Sequence, residues 1–383
     1  MSGIHQFVPV LHRGDAVGRH TLCLRDAIVA RGFESRIYVD TVEAGTEAQT
    51  TPVVAYPAHA DGSDTLLYQF ATASPMASWL AARRETLVVN YHNITPPELL
   101  APWDNHLALG QLRAQGELQL LVHRASLVVA DSNYNRDQLK AVGFGETAVI
   151  PPSADLGADI IASGVHREDR EDRAAGDGGA RWLCVGRIAP NKAIEDIVAA
   201  LLVTRRHGDP DATLLVIGKP ATASYVDALH RYVASLGLNS AVAFGGHASD
   251  ATVAEAYARS DVLVVTSEHE GYCVPVVEAM TVGLPVVAFR QGALPEVLGA
   301  GGVLVDSKDP YTLSSTIGRV VADALLREQL FVRARQRLAE LDLATAADRF
   351  AGLLVGLREG GDRPGRPRAP RATRAARAAG MTR

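Results

Sequence analysis

Short aliphatic and β-branched runs alternate with helical periodicity along the first 150 residues. They fall at residues 4–10, 36–39, 86–91, 126–130 and 147–150. Runs this short and this continuously apolar predict strands buried on both faces of a parallel sheet. The pattern breaks over residues 155–181, where charge, glycine and alanine leave no period at all, as expected of a connection between domains. The alternation then resumes more cleanly, with strands expected at 182–185, 213–217, 241–244, 262–266, 285–289 and 303–305. Between them, Ile194, Ile197, Val198, Leu201 and Leu202 recur at the spacing of one buried helix face, as do Val226, Leu229, Val233 and Leu236. Strand and helix in strict alternation predict an α/β fold of two Rossmann-like, doubly wound parallel sheets. Two such sheets face each other across a cleft at the carboxyl ends of their strands, where open α/β folds bind ligands.

The expected domains are residues 1–154, a linker at 155–181, and a second domain at 182–340. A C-terminal helix at 341–359 then packs near the domain junction. Residues 360–383 hold seven arginines against one aspartate and several prolines and glycines, without apolar period, and read as a disordered basic tail.

Composition narrows the function. The formal net charge is -5, but the tail alone carries +6, so the rest of the chain carries -11. An acidic body argues against nucleic-acid binding, which rests on clustered cations facing phosphates. Anionic lipid suits the tail's charge, which makes peripheral membrane contact one expectation and an inert end the other. Cys23, Cys184 and Cys273 are an odd number without disulfide or zinc spacing. No apolar run approaches the length that spans a bilayer, and the first residues lack a signal-peptide pattern. A cytoplasmic location is therefore expected.

Two segments carry candidate chemistry. SEHEGYCVPVVEAMTVGLPVVAF, residues 267–289, leaves a strand, turns through Gly271 and enters a helix with Pro275 in its first turn. Glu270 falls in the loop and Glu278 early in the helix, beside unpaired backbone N–H groups. Carboxylates accept hydrogen bonds from sugar hydroxyls, and a helix N-terminus favours phosphate. In the plainer reading Glu278 complements the helix dipole and Glu270 is solvated. WLCVGRIAPNK, residues 182–192, ends a strand at Gly186 and places Arg187 and Lys192 in the next loop. Two cations there can clamp a diphosphate. The plainer reading is a surface arginine and a lysine near a helix start, where a lysine is unfavourable without an anion.

VGRIAPNK, LLVIGKP, VAFGGHAS, EHEGYCVPVVEAM and GLPVVAF occur in the order seen in glycosyltransferase family 4, which the chain resembles over most of residues 182–306. HQFVPVLHRGDAVGRHT, YHNITPPE and ADSNYNRDQL match more loosely in the first half. The resemblance implies GT-B architecture and a retaining transferase that moves a hexose from a nucleotide sugar, such as GDP-mannose or a UDP-hexose, to an unidentified acceptor. On it, Arg187 and Lys192 hold the donor diphosphate, Glu278 the ribose and Glu270 the sugar hydroxyls. Gly186, Gly271, Tyr272 and Cys273 lie around the donor, and the last three offer backbone groups. Gly14 and Gly18 are similar to a glycine loop on the acceptor side, where Asp15 departs from the adjacent glycines of many members. His92 resembles a histidine near the reacting sugar carbon, and its plainer reading is a bond to a loop carbonyl.

There is no Gly-x-Gly-x-x-Gly after the first strand and no P-loop. Asp209-Pro210-Asp211 formally matches an Asp-x-Asp metal signature but reads as a turn, so neither a cofactor nor a catalytic metal is expected. The rival readings are a nucleotide-sugar epimerase or phosphorylase of the same architecture, and a catalytically silent partner of another glycosyltransferase.

Overall fold

The computed structural model describes residues 3–57, 62–153 and 178–359. The expected linker, through residue 177, and the basic tail at 360–383 lie outside the described residues.

The first sheet has seven parallel strands in the order β3-β2-β1-β4-β5-β6-β7. They are β1 Ile4–Val10, β2 Ile37–Thr41, β3 Thr50–Pro52, β4 Thr65–Phe70, β5 Thr86–Tyr91, β6 Leu127–Ala130 and β7 Ala148–Val149. The second sheet has six, in the order β10-β9-β8-β11-β12-β13: β8 Arg181–Val185, β9 Thr213–Ile217, β10 Val242–Gly246, β11 Val262–Val265, β12 Val286–Phe289 and β13 Val303–Val305. The helices of the first half are α1 Ala16–Ala30, α2 Met76–Ala81, α3 Pro97–Leu100, α4 Asn105–Leu121 and α5 Asn133–Val142. Those of the second are α6 Ile194–His207, α7 Ala223–Ser235, α8 Asp250–Arg259, α9 Val274–Thr281, α10 Leu294–Leu298, α11 Pro310–Ala322, α12 Ala324–Leu341 and α13 Ala346–Arg358. Every strand pair is parallel, in register such as Leu183 with Leu215 and with Leu263.

Two strands stand outside the expected set. β3 is a three-residue edge strand too short to leave a pattern. β4, by contrast, is central: it pairs with β1 on one side and β5 on the other, and all six of its residues are buried. Gln69 interrupts its apolar run, and its polar group is satisfied inside the domain by other buried side chains, a partnership that no local pattern announces.

Local chemistry sets the helix ends near the cleft. The Asp15 carboxylate accepts from the Gly18 N–H at 2.7 Å and caps α1. Ser132 caps α5, and Gly143, at φ +110°, ends it. The chain then returns. Phe350 and Leu354 of α13 are fully buried against Ile4 of β1 and against Leu24 and Ile28 of α1. The last described helix thus seals the core of the first domain. At roughly 1.5–3 kcal/mol for each large apolar side chain buried, this return is a substantial share of that domain's stability.

In both sheets the strand order reverses at one point, between β1 and β4 in the first and between β8 and β11 in the second. The loops that leave these four strands open a crevice in each sheet. The two crevices face each other.

Candidate active site

A cleft of about 1020 Å³ lies between the domains, lined from both switch points. On the second domain's side, β8 runs into Gly186, whose φ of +137° suits only glycine. A Cβ on Gly218, at the end of β9, would stand 1.8 Å from the Gly186 carbonyl oxygen, so the loops after the two strands meet backbone to backbone. Arg187 is exposed on the cleft and makes no ion pair among the described residues. The loops after β8 and β11 are stitched together: the Thr266 hydroxyl donates to the Ala193 carbonyl at 2.8 Å, and the Glu268 N–H to the Asn191 carbonyl at 2.8 Å.

Lys192 and Glu270 are brought together by this stitching. The Lys192 ammonium donates to Glu270 Oε1 at 2.6 Å, and the Ser267 hydroxyl donates to the same oxygen at 2.7 Å. Burial would lower the lysine's pKa, but the carboxylate outweighs it and holds the ammonium above its ordinary value. Cys273 precedes α9 in a left-handed conformation, φ +74°, and no side chain caps that helix start. Burial, reinforced by Glu270, holds the Cys273 thiol well above its usual range, so it stays protonated. The first-turn N–H groups of α9 thus face the cleft beside Arg187 and Lys192, a ready anion site.

Glu278, one turn further along α9, is buried. Its Oε2 accepts from the Tyr257 hydroxyl at 2.8 Å and its Oε1 from Arg19 of α1, across the domain boundary, at 3.3 Å. Arg19 was not among the candidates: it lies 259 residues from its partner, and a lone arginine on a helix carries no signal.

The first domain's contribution has a different build. Gly14 and Asp15 line the cleft, and Gly14 faces His247 of the other domain. Asp15 caps α1. Gly18 sits beneath the loop, where a Cβ would fall 1.8 Å from the His12 carbonyl oxygen. His92, at the end of β5, lines the cleft with its side chain only 3% exposed. Its Nδ1 lies 2.8 Å from Asp131 Oδ2 and its Nε2 2.7 Å from Gln69 Oε1. Both ring nitrogens are engaged by side chains, not by a loop carbonyl. From Gln69 and Asn90 the network continues to Gln6 of β1 and His20 of α1, and His20 in turn accepts from the Ser153 N–H.

The domains also touch directly around the cleft. The Ser132 hydroxyl donates to the Gly271 carbonyl at 2.7 Å, and a Cβ on Gly271 would lie 2.5 Å from that of Asn93, so glycine there lets the domains close. The Glu296 carboxylate accepts from the Asn133 and Tyr134 N–H groups at the start of α5. Tyr272 is buried, and its hydroxyl has no hydrogen-bond partner among the described residues. Asp209 and Asp211 lie before β9, at the end of that strand remote from the cleft. There Asp209 accepts from the Ala180 and Asp211 N–H groups and forms a turn. Among the described residues no group of three or more His, Cys, Asp or Glu is gathered as a metal site would require. No helix among them is long and apolar enough to cross a membrane.

Residues 165–337 match the family model described as glycosyl transferases group 1. A D-inositol 3-phosphate glycosyltransferase of Actinosynnema mirum is 28% identical over 284 residues, covering 71% of this chain and 67% of that protein. A GDP-mannose-dependent alpha-(1-6)-phosphatidylinositol monomannoside mannosyltransferase of Mycolicibacterium smegmatis is 28% identical over 259 residues, 64% of this chain and 66% of its own. Among solved structures, Anabaena HepE in complex with UDP and glucose superposes with a TM-score of 0.66 at 23% identity, covering 92% of this chain and 99% of HepE. A sucrose-phosphate synthase from Thermosynechococcus elongatus reaches 0.71 at 20% identity, with 92% and 99% covered. The architecture is GT-B, two parallel-sheet α/β domains about a cleft. The protein is a glycosyltransferase.

Proposed function

We propose that the enzyme moves a hexose from a nucleotide diphosphate sugar to an acceptor hydroxyl with retained anomeric configuration, as the resemblance to family 4 implies. The second domain holds the donor. The observation that carries this reading is the convergence, at one switch point, of Arg187, Lys192 and the uncapped start of α9 with the carboxylates Glu270 and Glu278. The cations and N–H groups suit a diphosphate and the charge it gains on leaving, while the carboxylates suit hydroxyls of hexose and ribose. The mannosyltransferase is GDP-mannose-dependent by name and HepE has been solved with UDP and glucose, which supports a nucleotide-sugar donor. The named relatives of assigned activity are transferases and a synthase, which favours transfer over epimerisation or phosphorolysis.

Inversion requires a general base on the acceptor side. His92 is the nearest candidate, and its two nitrogens are committed to Asp131 and Gln69. In the proposed reaction the acceptor instead enters on the face the diphosphate leaves, a phosphate oxygen takes the hydroxyl proton, and His92 shapes the sugar pocket. Arg187 and Lys192 supply the counter-charge in place of a metal. Closure of the domains excludes the water that would hydrolyse the donor.

A thermal-shift screen against UDP-glucose, GDP-mannose and other nucleotide sugars tests the donor, since a ligand at one hundred times its Kd stabilises by about 2.7 kcal/mol. Failure of every nucleotide sugar and every nucleoside diphosphate to shift the melting temperature refutes it. Proton NMR of product formed in EDTA tests the rest. An α-linked donor giving a β-linked product overturns retention, and activity that returns only with magnesium or manganese overturns the metal-free step.

A further inference from the structure

Asp131, the residue that follows β6, lines the cleft yet is only 5% exposed. Its Oδ2 holds the His92 ring at 2.8 Å, whereas Oδ1 is buried and has no hydrogen-bond partner among the described residues. An ionised carboxylate offers about four lone-pair positions, and an unsatisfied buried oxygen in a charged group is costly. Such an oxygen at the wall of a ligand cleft is explained when the ligand supplies the donor.

The fold says which part of the ligand. Asp131 is joined to Ser132, whose hydroxyl donates to the Gly271 carbonyl at 2.7 Å, and Gly271 is joined to Glu270. Asp131 and Glu270 therefore stand on opposite domains beside one interdomain contact, both line the cleft, and His92 is bonded to Asp131. Arg187, suited to the diphosphate, lies on a loop of the second domain, and Glu278, suited to the ribose, on its helix α9. Burial raises the Tyr272 hydroxyl above its ordinary value and the Asp131 carboxylate raises it further, which places that carboxylate's charge at the seam between the domains.

We infer that Asp131 is a sugar-binding residue of the donor site: its Oδ1 accepts a hydrogen bond from one hydroxyl of the transferred hexose, while its Oδ2 keeps His92 turned toward the same ring. This deepens the donor reading above and rests on it. Asp131 closes the hexose pocket from the first domain and so makes recognition of the sugar depend on both domains.

Calorimetry with UDP-glucose, GDP-mannose, UDP and GDP separates the two ideas. If the wild-type protein binds none of them, the donor reading fails and this inference with it. If it binds, Asp131→Ala is expected to weaken the bound nucleotide sugar about tenfold or more, as loss of a hydrogen bond to a charged group does, and to leave the parent diphosphate within about twofold. Asp131→Asn keeps an oxygen for His92 and is expected to show a smaller loss of the same selectivity. Monodeoxy forms of the bound nucleotide sugar give the decisive cycle. One deoxy position should cost affinity in the wild type and nothing in Asp131→Ala. Equal loss of sugar and diphosphate binding, or deoxy penalties that are the same in both proteins, overturns the assignment.

Discussion

The two walls of the cleft are built in opposite ways. On the second domain's side, Gly186, Arg187, Lys192, Glu270 and Glu278 come from two contiguous strand–loop–helix segments; the bonds that orient Lys192 and Glu270 stay within those segments, and Glu278 alone of the five is also held from outside them, by Tyr257 and Arg19. On the first domain's side, His92 is oriented by Asp131 after β6 and Gln69 of β4, and through them by residues on β1, β5 and α1. The first wall is a motif and the second is a network. A motif needs only its loops to be placed, whereas a network of buried polar groups is sound only while every member is satisfied. Damage should therefore remain local on one side and spread on the other.

The largest effect expected within the motif wall is on turnover, and it separates two cations that look alike in sequence. Arg187→Ala should reduce transfer by about 100- to 1,000-fold, the usual loss for one group aimed at transition-state charge, with little change in melting temperature because Arg187 is exposed and makes no ion pair among the described residues. Lys192→Ala should lose as much rate and also destabilise the fold by roughly 3 kcal/mol, because it leaves Glu270 buried without its partner. Steady-state rates set beside thermal melts decide. Near-normal turnover in either mutant removes that cation from the diphosphate role.

Next come glycines that hold the loop of each wall against its neighbour. Gly218→Ala and Gly18→Ala each place a methyl group about 1.8 Å from a backbone carbonyl oxygen, of Gly186 and His12 respectively, and each should cost about 3 kcal/mol in urea unfolding, at the upper end of overpacking. The walls should differ in reach. Tyrosine and histidine NMR signals of the undisturbed domain should stay in place for Gly218→Ala, whereas Gly18→Ala should also move the His20 and His92 signals, since α1 carries His20. Matching patterns in the two mutants would erase the distinction between motif and network.

The smallest expected effect is on pH dependence. Burial lowers the pKa of His20 well below 6.5, and the neighbouring His92 lowers it further. A histidine depressed in the folded state is neutral there but takes up a proton when unfolded. Its contribution to stability is therefore complete above about pH 6.5 and declines as the pH falls toward the folded value, by at most about 1.4 kcal/mol per pH unit. Burial depresses His5 and His269 in the same direction. Unfolding free energy measured from pH 7.5 to 5.5 should fall, and His20→Gln should flatten that slope whatever it does to absolute stability. An unchanged slope would show that His20 is not a source of acid sensitivity.

The amphipathic helices, eleven of the thirteen strands and the residues of the motif wall were legible in the chain itself, because each depends on neighbours in sequence: apolar period, a glycine at a turn, a carboxylate or cation at a fixed step from a strand end. The tertiary structure alone decided that β4 is the centre of its sheet, that α13 returns to seal the first domain, and that Asp15 is a helix cap. It alone joined Arg19 to Glu278 and Asp131 to His92, and left one buried oxygen of Asp131 without a partner among the described residues. A buried polar group takes its meaning from the partner it finds, and these partners lie tens to hundreds of residues away, where no spacing along the chain records them.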